Sequence, residues 1–323
     1  MSYHPARPTT TVSAPGKIIL FGEHAVVYGR PALAAPVTQV HADVEVTDGS
    51  RAGIWIHAPD INLHAELNSL PPDHAVGAAV RSVFAALGVS PFPSLEIRIT
   101  STIPVASGLG SGAAVSVALI RALLSFILHL SSFTHPPLSL EEINSLAYEI
   151  EKLHHGTPSG IDNTVVTYAR PVYFVRGQPI EPFKVGAPFT LVIADTGISA
   201  PTKESVGDVR KLWEADKPKW EKVFDQIGEI SEAARTAIER GKTDELGPLM
   251  DSNHALLQTL TVSSPELDHL TEIARKSGAD GAKLSGGGRG GNMIALVEKY
   301  NAAHIAESLL SAGAKRTIIT EIA

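Results

Sequence analysis

The feature that most constrains this 323-residue chain is a glycine-rich segment, residues 104–114 (PVASGLGSGAA), that runs directly into an apolar stretch. Glycine lets a backbone approach a ligand closely and adopt positive φ. A helix that begins right after such a segment presents free N–H groups and the positive end of its dipole. Together these features predict a binding site for an anion, most often a phosphate. The alternative is a tight turn that leads into a core helix.

Neither common nucleotide-binding motif fits this segment. It has no Gly-Lys-[Ser/Thr] of a Walker A loop, and its glycines lack the G-x-G-x-x-G spacing of a dinucleotide fold. A second glycine-rich segment, residues 285–291 (SGGGRGG), has five glycines in seven positions. That composition is costly in backbone entropy for a plain connection. Arg289 within it could offer a forked donor to a phosphate or carboxylate, although a flexible surface loop explains the segment equally well.

Composition excludes several classes of function. With 44% hydrophobic and 19% charged residues, the chain can bury a core. A net charge of −7 without a basic cluster argues against a nucleic-acid partner. The absence of cysteine excludes disulfides, thiolate nucleophiles and cysteine-bound zinc, and it fits a cytoplasmic location. The most apolar stretch, residues 113–130, is short for a membrane span and is interrupted by Arg121, so we expect a buried helix and no membrane partner.

The first half of the chain mixes strand and helix patterns. Apolar runs or alternation predict strands at residues 17–22, 40–46 and 95–99. Helical spacing of apolar residues predicts helices at residues 73–87 and 139–153, and the second begins with the Ser-x-x-Glu pattern of a capping box. Strands and helices mix without strict βαβ alternation, which favours an α+β fold over a doubly wound sheet.

After about residue 189 the pattern restarts, and it predicts further elements at residues 190–195, 203–240, 265–277 and 293–297. A Pro/Gly-rich stretch at residues 176–188 precedes this restart. We therefore predict two domains, residues 1–185 and residues 186–323.

Two carboxylates near the middle of the chain are candidates for chemistry. Glu151 lies about 40° beyond the apolar face of its predicted helix, where it can face a cleft. Asp162 follows a Thr-Pro-Ser-Gly turn, and we expect it on a constrained loop. One carboxylate could hold Mg²⁺ while the other orients or deprotonates a hydroxyl. The alternative for each is a surface acid or a helix cap.

A lysine and a Glu-His pair flank one predicted strand. Lys17 opens the strand, and Glu23 and His24 close it. Side chains at the two ends of a strand can converge on a pocket, and a lysine suits phosphate or a hydroxyl whose pKa must fall. The alternative is a structural ion pair with a polar turn.

Taken together, four segments resemble the GHMP kinase superfamily and, within it, the mevalonate kinase family. They are PGK…GEHAVVYG near the N-terminus, the segment at residues 104–114, EKLHHGTPSGIDN at residues 151–163, and KLSGGGRGGN at residues 283–292. All four occur in the family's order and at similar spacing. The resemblance implies a two-domain fold, with an N-terminal domain like ribosomal protein S5 domain 2 and a ferredoxin-like C-terminal domain. It also implies ATP-dependent phosphorylation of mevalonate to 5-phosphomevalonate in isoprenoid biosynthesis, with Mg²⁺, in a protein that is often a homodimer.

The resemblance also implies roles for individual residues. Asp162 would take the proton from the substrate hydroxyl, and Lys17 would pair with it and stabilise the developing charge. Glu151 and Ser111 would hold Mg²⁺. The residues that would bind the ATP phosphates are Pro104, Ser107, Gly108, Leu109, Gly110, Ser111, Gly112 and Ala113. The residues that would line the mevalonate pocket are Lys17, Glu23, His24, Asp162, Thr202 and Gly287.

Two positions depart from the family pattern. Gly112 stands where the family usually has a second serine, the usual Mg²⁺ ligand, so the ion would be held by Ser111, by a water, or by only Glu151 and the nucleotide oxygens. Arg289 stands where the family usually has glycine. His24 favours mevalonate over the substrates of related kinases, which act on phosphomevalonate, sugars or homoserine. An inactive family member that only binds a ligand is the remaining alternative.

Overall fold

The computed structural model describes residues 9–104, 107–129, 137–155, 158–179, 181–199 and 202–323, without the side chains of residues 154, 155 and 182. The chain forms two compact units. Unit 1 contains residues 1–16, 40–104 and 110–168, and unit 2 contains residues 17–39, 105–109 and 169–323. The units are not continuous in sequence, and the boundary between residues 185 and 186 stays a prediction.

Strands occur in both units. In chain order the described strands are β1 (Thr9–Phe21), β2 (Ala32–Asp48), β3 (Ile54–Ala58), β4 (Leu63–Glu66), β5 (Leu95–Ser101), β6 (Val172–Phe174), β7 (Glu181–Pro182), β8 (Phe189–Asp195), β9 (Gly281–Ser285), β10 (Asn292–Val297) and β11 (Arg316–Ile322). The described helices are α1 (Ala75–Ala86), α2 (Ser111–His129), α3 (Leu140–His155), α4 (Ile161–Tyr168), α5 (Thr202–Ala215), α6 (Lys217–Glu239), α7 (Leu246–Thr259), α8 (Pro265–Lys276) and α9 (Ala302–Ser311).

Unit 1 is a sheet with helices packed together beside it. β5 pairs antiparallel with the second half of β2 and parallel with β3, which in turn pairs with β4. The helices α1 to α4 pack against one another around α2. By length and composition α2 would also pass as a membrane span, but 67% of its apolar window is buried inside the protein. It is therefore a core helix, as the sequence predicts, although Leu130 lies outside the described residues.

Unit 2 is built around a four-stranded antiparallel sheet of order β11-β8-β10-β9. β8 and β10 are buried along almost their whole length because helices cover the sheet, with α7 and α8 on β9 and α9 on β8. The start of β2 also belongs to this unit and pairs with β6. Among the described strand pairs with a defined register, all but β3–β5 are antiparallel, so the predicted α+β class is confirmed.

The local elements follow the sequence closely. The predicted capping box is present: the Ser139 backbone N–H donates to the Glu142 carboxylate at 2.7 Å, and the Glu142 N–H donates to the Ser139 hydroxyl at 3.2 Å.

Two predicted placements, those of Lys17 and Asp162, were wrong. Lys17 lies in the middle of β1 rather than at its start, because the polar residues from Thr9 onward also pair as a strand.

Asp162 lies in the first turn of α4, where we expected a loop. The sequence IDNTVVTY is rich in β-branched residues, which have low intrinsic helix propensity. Tertiary packing overrides that preference, since Ile161, Val165 and Val166 are all fully buried. Thr157, in the predicted turn before the helix, lies outside the described residues.

Candidate active site

The residues predicted to form the site fall in both compact units. Those in unit 2 are Lys17, Glu23, His24, Ser107, Gly108, Leu109, Thr202 and Gly287. Those in unit 1 are Pro104, Gly110, Ser111, Gly112, Ala113, Glu151 and Asp162. The predicted pairing of Lys17 with Asp162 stays a prediction.

In unit 2 the strand that carries Lys17 lies against the first glycine-rich segment. The Lys17 backbone N–H donates to the Leu109 carbonyl at 2.9 Å. Lys17 is only 4% exposed and Leu109 is 1% exposed. A buried lysine requires compensation for the loss of water around its charge, so its placement beside a predicted phosphate-binding segment is consistent with a functional cation.

The two glycine-rich segments meet within unit 2. The side-chain amide of Asn292, the first residue of β10, donates to the Ser107 carbonyl. Gly108 has φ +78°, in the left-handed region that glycine accepts without strain. The role of Asn292 was not identified from the sequence. The only feature that points to it there is its position as a polar residue between a run of glycines and an apolar strand. Asn292 ties the end of the segment at residues 286–291 to Ser107 of the first glycine-rich segment.

Glu23 is paired with a lysine that the sequence did not assign to it. The Lys283 ammonium donates to the Glu23 carboxylate, and both side chains are 0% exposed. Lys283 also donates to the Leu284 carbonyl at 2.7 Å. Burial raises the pKa of Glu23 and lowers the pKa of Lys283, and the attraction between the two charges opposes both shifts. The structure therefore shows Glu23 in a buried ion pair with Lys283 of β9, and its place in the mevalonate pocket stays a prediction.

His24 occupies a strained turn. Its backbone has φ 61° and ψ −48°, and the Ala25 N–H donates to the Glu23 carbonyl at 2.6 Å. This is a γ-turn of the rare, strained kind. Such strain persists only where the surroundings hold it, and it is concentrated at functional sites.

The His24 ring is anchored and neutral. Its Nε2 lies 3.1 Å from the Gly287 carbonyl. Burial lowers the pKa of His24 to about 4, so the ring is uncharged at neutral pH. Because a carbonyl can only accept, Nε2 carries the proton, and Nδ1 is left with a lone pair that can accept a hydrogen bond.

Thr202 lies close to Gly287, the residue whose carbonyl accepts from His24. It is the exposed first residue of α5, and a Cβ atom added at Gly287 would come within 2.9 Å of the Thr202 hydroxyl oxygen. Only glycine therefore fits at this position without a shift. The structure thus brings together three of the predicted pocket residues, His24, Thr202 and Gly287, from segments far apart in the chain.

In unit 1, Pro104 and Gly110 precede α2, and the other candidates lie on three helices that pack against one another. Ser111 begins α2, and the Ala114 N–H donates to the Gly110 carbonyl at 2.9 Å, which starts the helix. Glu151, on α3, is 2% exposed, more deeply buried than the rim position that its helical angle predicts. Asp162 is partly buried on α4.

Asn163, beside Asp162, fixes the orientation of α4. Its side-chain amide donates to Asn144 Oδ1 on α3 at 2.6 Å and is 2% exposed. A buried hydrogen bond between two amide side chains holds the first turn of α4 against α3. It was not identified from the sequence.

The donor chemistry of unit 1 fits Mg²⁺ held jointly with a nucleotide. Among the described residues, no three His, Asp or Glu side chains cluster as a protein-only metal site. Mg²⁺ is usually bound by one or two carboxylates plus substrate phosphates, with oxygen ligands throughout. The Glu151 carboxylate and the Ser111 hydroxyl supply oxygens of that type.

Comparisons with known proteins identify the family of this chain. Residues 74–170 match the model of the GHMP kinases N terminal domain, and residues 234–315 match GHMP kinases C terminal. Mevalonate kinase of Pyrococcus horikoshii is 37% identical over 88% of this chain and 87% of its own length. Mevalonate kinase of Pyrococcus furiosus is 36% identical over 96% of this chain and 95% of its own.

A solved structure gives the same result for the fold. The crystal structure of L. major mevalonate kinase in complex with R-mevalonate superposes with a TM-score of 0.82 at 30% identity. The superposition covers 100% of this chain and 98% of the L. major chain. The two-domain fold that the sequence predicted is therefore confirmed. From the two matched domains and relatives of this similarity over nearly the whole chain, we conclude that this protein belongs to the GHMP kinase family.

Proposed function

We propose that this protein transfers the γ-phosphoryl group of ATP to mevalonate and releases 5-phosphomevalonate and ADP. The observation that carries the proposal is the meeting of His24, Thr202 and Gly287 in unit 2. It joins the Gly-Glu-His motif to the C-terminal glycine motif, and the histidine favours mevalonate among the substrates of this family. The relatives named mevalonate kinase support the same assignment.

Phosphoryl transfer requires positioned groups rather than covalent chemistry by the protein. In the proposed mechanism the oxygen of the substrate hydroxyl attacks the γ-phosphorus, and the Asp162 carboxylate takes the proton of that hydroxyl. The bond from the γ-phosphorus to the bridging oxygen of ADP then breaks, and the electron pair leaves with ADP. The Lys17 ammonium stabilises the charge that develops on the attacking oxygen and the γ-phosphate oxygens.

The backbone of residues 107–113 supplies the phosphate-binding groups. Free N–H groups at the start of α2 and the dipole of that helix favour an anion at this end. Ser111 and Glu151 are the proposed ligands of Mg²⁺, with nucleotide oxygens as the others. An ion held there would supply positive charge that offsets the negative charge of the transferred phosphoryl group.

The neutral His24 ring has a specific part in the proposed pocket. With its proton committed to the Gly287 carbonyl, Nδ1 can accept a hydrogen bond from a substrate hydroxyl. The Thr202 hydroxyl can both donate and accept beside it. This pairing suits a small substrate that carries hydroxyl and carboxylate groups.

A coupled assay of ADP release tests the function. Purified protein with Mg·ATP is given mevalonate, phosphomevalonate, galactose or homoserine in separate reactions. We expect ADP release with mevalonate, and formation of 5-phosphomevalonate confirmed by mass spectrometry. A kcat/KM higher for any other acceptor would reassign the substrate, and no turnover with any acceptor would favour an inactive ligand-binding member.

A homodimer and a cytoplasmic location are further parts of the proposal. Light scattering coupled to size-exclusion chromatography measures the mass in solution. A mass of twice the 34.1 kDa of the chain is the expected result.

A further inference from the structure

Arg289 occupies a backbone position that favours glycine. Its φ is 60°, in the left-handed region that a side chain with a Cβ atom rarely adopts. Glycine in the same place would be free of this cost. A long charged side chain at such a position therefore needs interactions that hold it there.

The contacts of Arg289 supply that anchorage. Its backbone N–H donates to the Val262 carbonyl at 2.7 Å, and its Nε donates to the Thr261 carbonyl at 3.3 Å. Its Nη1 donates to the Asp208 carboxylate at 2.6 Å. The guanidinium is thus committed to helix α5 and to the connection between α7 and α8.

The loop that Arg289 holds fits closely against its neighbours in unit 2. A Cβ atom added at Gly288 would lie 1.9 Å from the Val262 carbonyl oxygen, so the two backbones touch. On the other side, the Gly291 N–H donates to the Ile198 carbonyl at 2.9 Å. Arg289 adds the bond that ties this loop to α5.

Helix α5 begins at Thr202, which packs against Gly287 of the same loop, and Gly287 accepts from His24. Asp208 lies on α5 less than two helical turns after Thr202. A bond from Arg289 to Asp208 therefore fixes the loop and the start of α5 as one unit.

We propose that Arg289 is a positioning residue that latches residues 286–291 onto helix α5 through Asp208, and so sets the spacing of Gly287, Thr202 and His24. This inference rests on the proposed function for its kinetic consequence. It assigns a role to the position where this chain departs from the family glycine. The guanidinium acts on the pocket through the loop and not by contact with a ligand.

The latch is an ion pair of moderate exposure, which limits its strength. The side chains of Arg289 and Asp208 are 34% and 38% exposed. Ion pairs at such sites change an equilibrium by about two- to five-fold. Asp208 also pairs with Lys211 at 2.8 Å, one turn along α5, in a contact that does not reach the loop.

Three variants and a control separate the latch from its surroundings. Asp208→Asn removes the charge that Arg289 binds without changing the loop sequence. Arg289→Gly restores the family residue and relieves the backbone strain. Arg289→Lys keeps a positive charge on a different side chain. Lys211→Ala is the control, since it removes the other partner of Asp208 and leaves the loop untouched.

The kinetic expectation is specific to one substrate. Asp208→Asn and Arg289→Gly should each raise the KM for mevalonate by about two- to five-fold, with a smaller change in kcat and in the KM for ATP. The double variant Asp208→Asn/Arg289→Gly should raise the KM for mevalonate no further than the stronger single variant does, because both substitutions remove the same bond. Arg289→Lys should recover part of the loss, and Lys211→Ala should match the parent.

Hydrogen exchange of residues 286–291 supplies a readout that does not need turnover. Exchange should quicken in Asp208→Asn and Arg289→Gly, and stay at the parent rate in Lys211→Ala. Arg289→Gly should keep its melting temperature while its KM rises, which a purely structural role does not predict.

The latch is overturned if Asp208→Asn leaves both the exchange and the KM for mevalonate unchanged, or if only the KM for ATP moves. If the parent protein does not turn over mevalonate, the proposed function fails. The exchange comparison alone then decides whether the latch exists.

Discussion

Glu23 and Lys283, 260 residues apart in the chain, form an ion pair in which neither side chain has any exposure to solvent. Glu23 directly precedes the strained His24, and Lys283 lies on β9 just before the C-terminal glycine segment. The pair therefore fixes the two segments that meet again at the bond between His24 and Gly287. A buried ion pair is weak evidence for stability in general, but this one sets the relative position of two segments that form the proposed pocket.

Breaking this pair should be costly, while removing it completely should cost less. Lys283→Met leaves the Glu23 carboxylate buried without its partner, and we expect a loss of about 3–5 kcal/mol in the free energy of unfolding. The double variant Glu23→Gln/Lys283→Met leaves no charge at these two positions and should recover part of that loss. Urea denaturation followed by circular dichroism measures both.

A surface pair of the same kind provides the control. Lys276 pairs with Glu272 on α8, where the two side chains are 66% and 59% exposed. Lys276→Met should change stability by less than about 0.5 kcal/mol. A double variant as unstable as Lys283→Met would contradict the expectation for the buried pair, because it would mean that the cost is one of packing and not of an unpaired charge.

The bond from Asn292 to Ser107 should matter for the nucleotide. Asn292→Ala leaves the buried Ser107 carbonyl without its side-chain donor, and we expect the KM for ATP to rise by about three- to ten-fold through a looser phosphate loop. A second buried asparagine offers a matched control. Neither polar atom of the Asn253 side chain has a hydrogen-bond partner among the described residues, and the side chain is 0% exposed.

Asn253→Ala removes the same atoms from a buried site without breaking a hydrogen bond, so its KM for ATP should stay at the parent value. Isothermal titration with a non-hydrolysable ATP analogue gives the same comparison free of kinetics. Equal affinities for the parent and Asn292→Ala would remove the role of this bond in holding the loop.

Local patterns in the sequence were sufficient for much of the fold. The capping box of Ser139 and Glu142 was predictable because both of its bonds lie within four residues. The α4 helix that carries Asp162 was not, because its β-branched residues become helical only through burial against the rest of unit 1. Local propensity says little where tertiary packing decides.

The motifs were sufficient to select candidate site residues but not to predict the contacts that those residues make. The motifs drew attention to Glu23, His24 and the glycine segment, yet nothing in a linear sequence pairs Glu23 with Lys283 across 260 positions. Arg289 could be recognised only as a departure from a pattern. Its partner, Asp208, lies on a charged helix with several acidic residues, and the sequence does not indicate which of them pairs with Arg289.

The proposed chemistry depends on Asp162 and Lys17. Asp162→Asn keeps the shape of the side chain but removes the carboxylate that accepts the proton, so we expect kcat to fall by several orders of magnitude with ATP affinity preserved. Lys17→Met keeps an apolar stem and removes the charge, and it should lower kcat more than it weakens mevalonate binding. Steady-state kinetics together with equilibrium ATP binding separates these effects, and near-normal turnover in either variant would remove the role given to that residue.

Two buried histidines should make the fold sensitive to mild acid. Burial lowers the pKa of His254 to about 4, with the Lys283 charge contributing and Asp268 opposing, and it lowers the pKa of His24 to about 4 as well. An unfolded histidine takes up a proton near pH 6.5, so between about pH 6.5 and 4 the unfolded state binds more protons and the free energy of unfolding falls as the pH falls. By pH 5 each histidine should cost on the order of 1–2 kcal/mol.

His254→Gln removes one of these titrating groups while keeping a side chain that can donate to Asp268 and accept from the Leu284 N–H, as the imidazole does now. Its absolute stability will change, so the informative quantity is the slope of the unfolding free energy between pH 7 and pH 5. That slope should be shallower than in the parent, and His304→Gln, at an exposed histidine on α9, should leave the parent slope in place. A His254→Gln protein with the parent slope would show that His254 binds its proton equally well in the folded and unfolded chains, which its burial argues against.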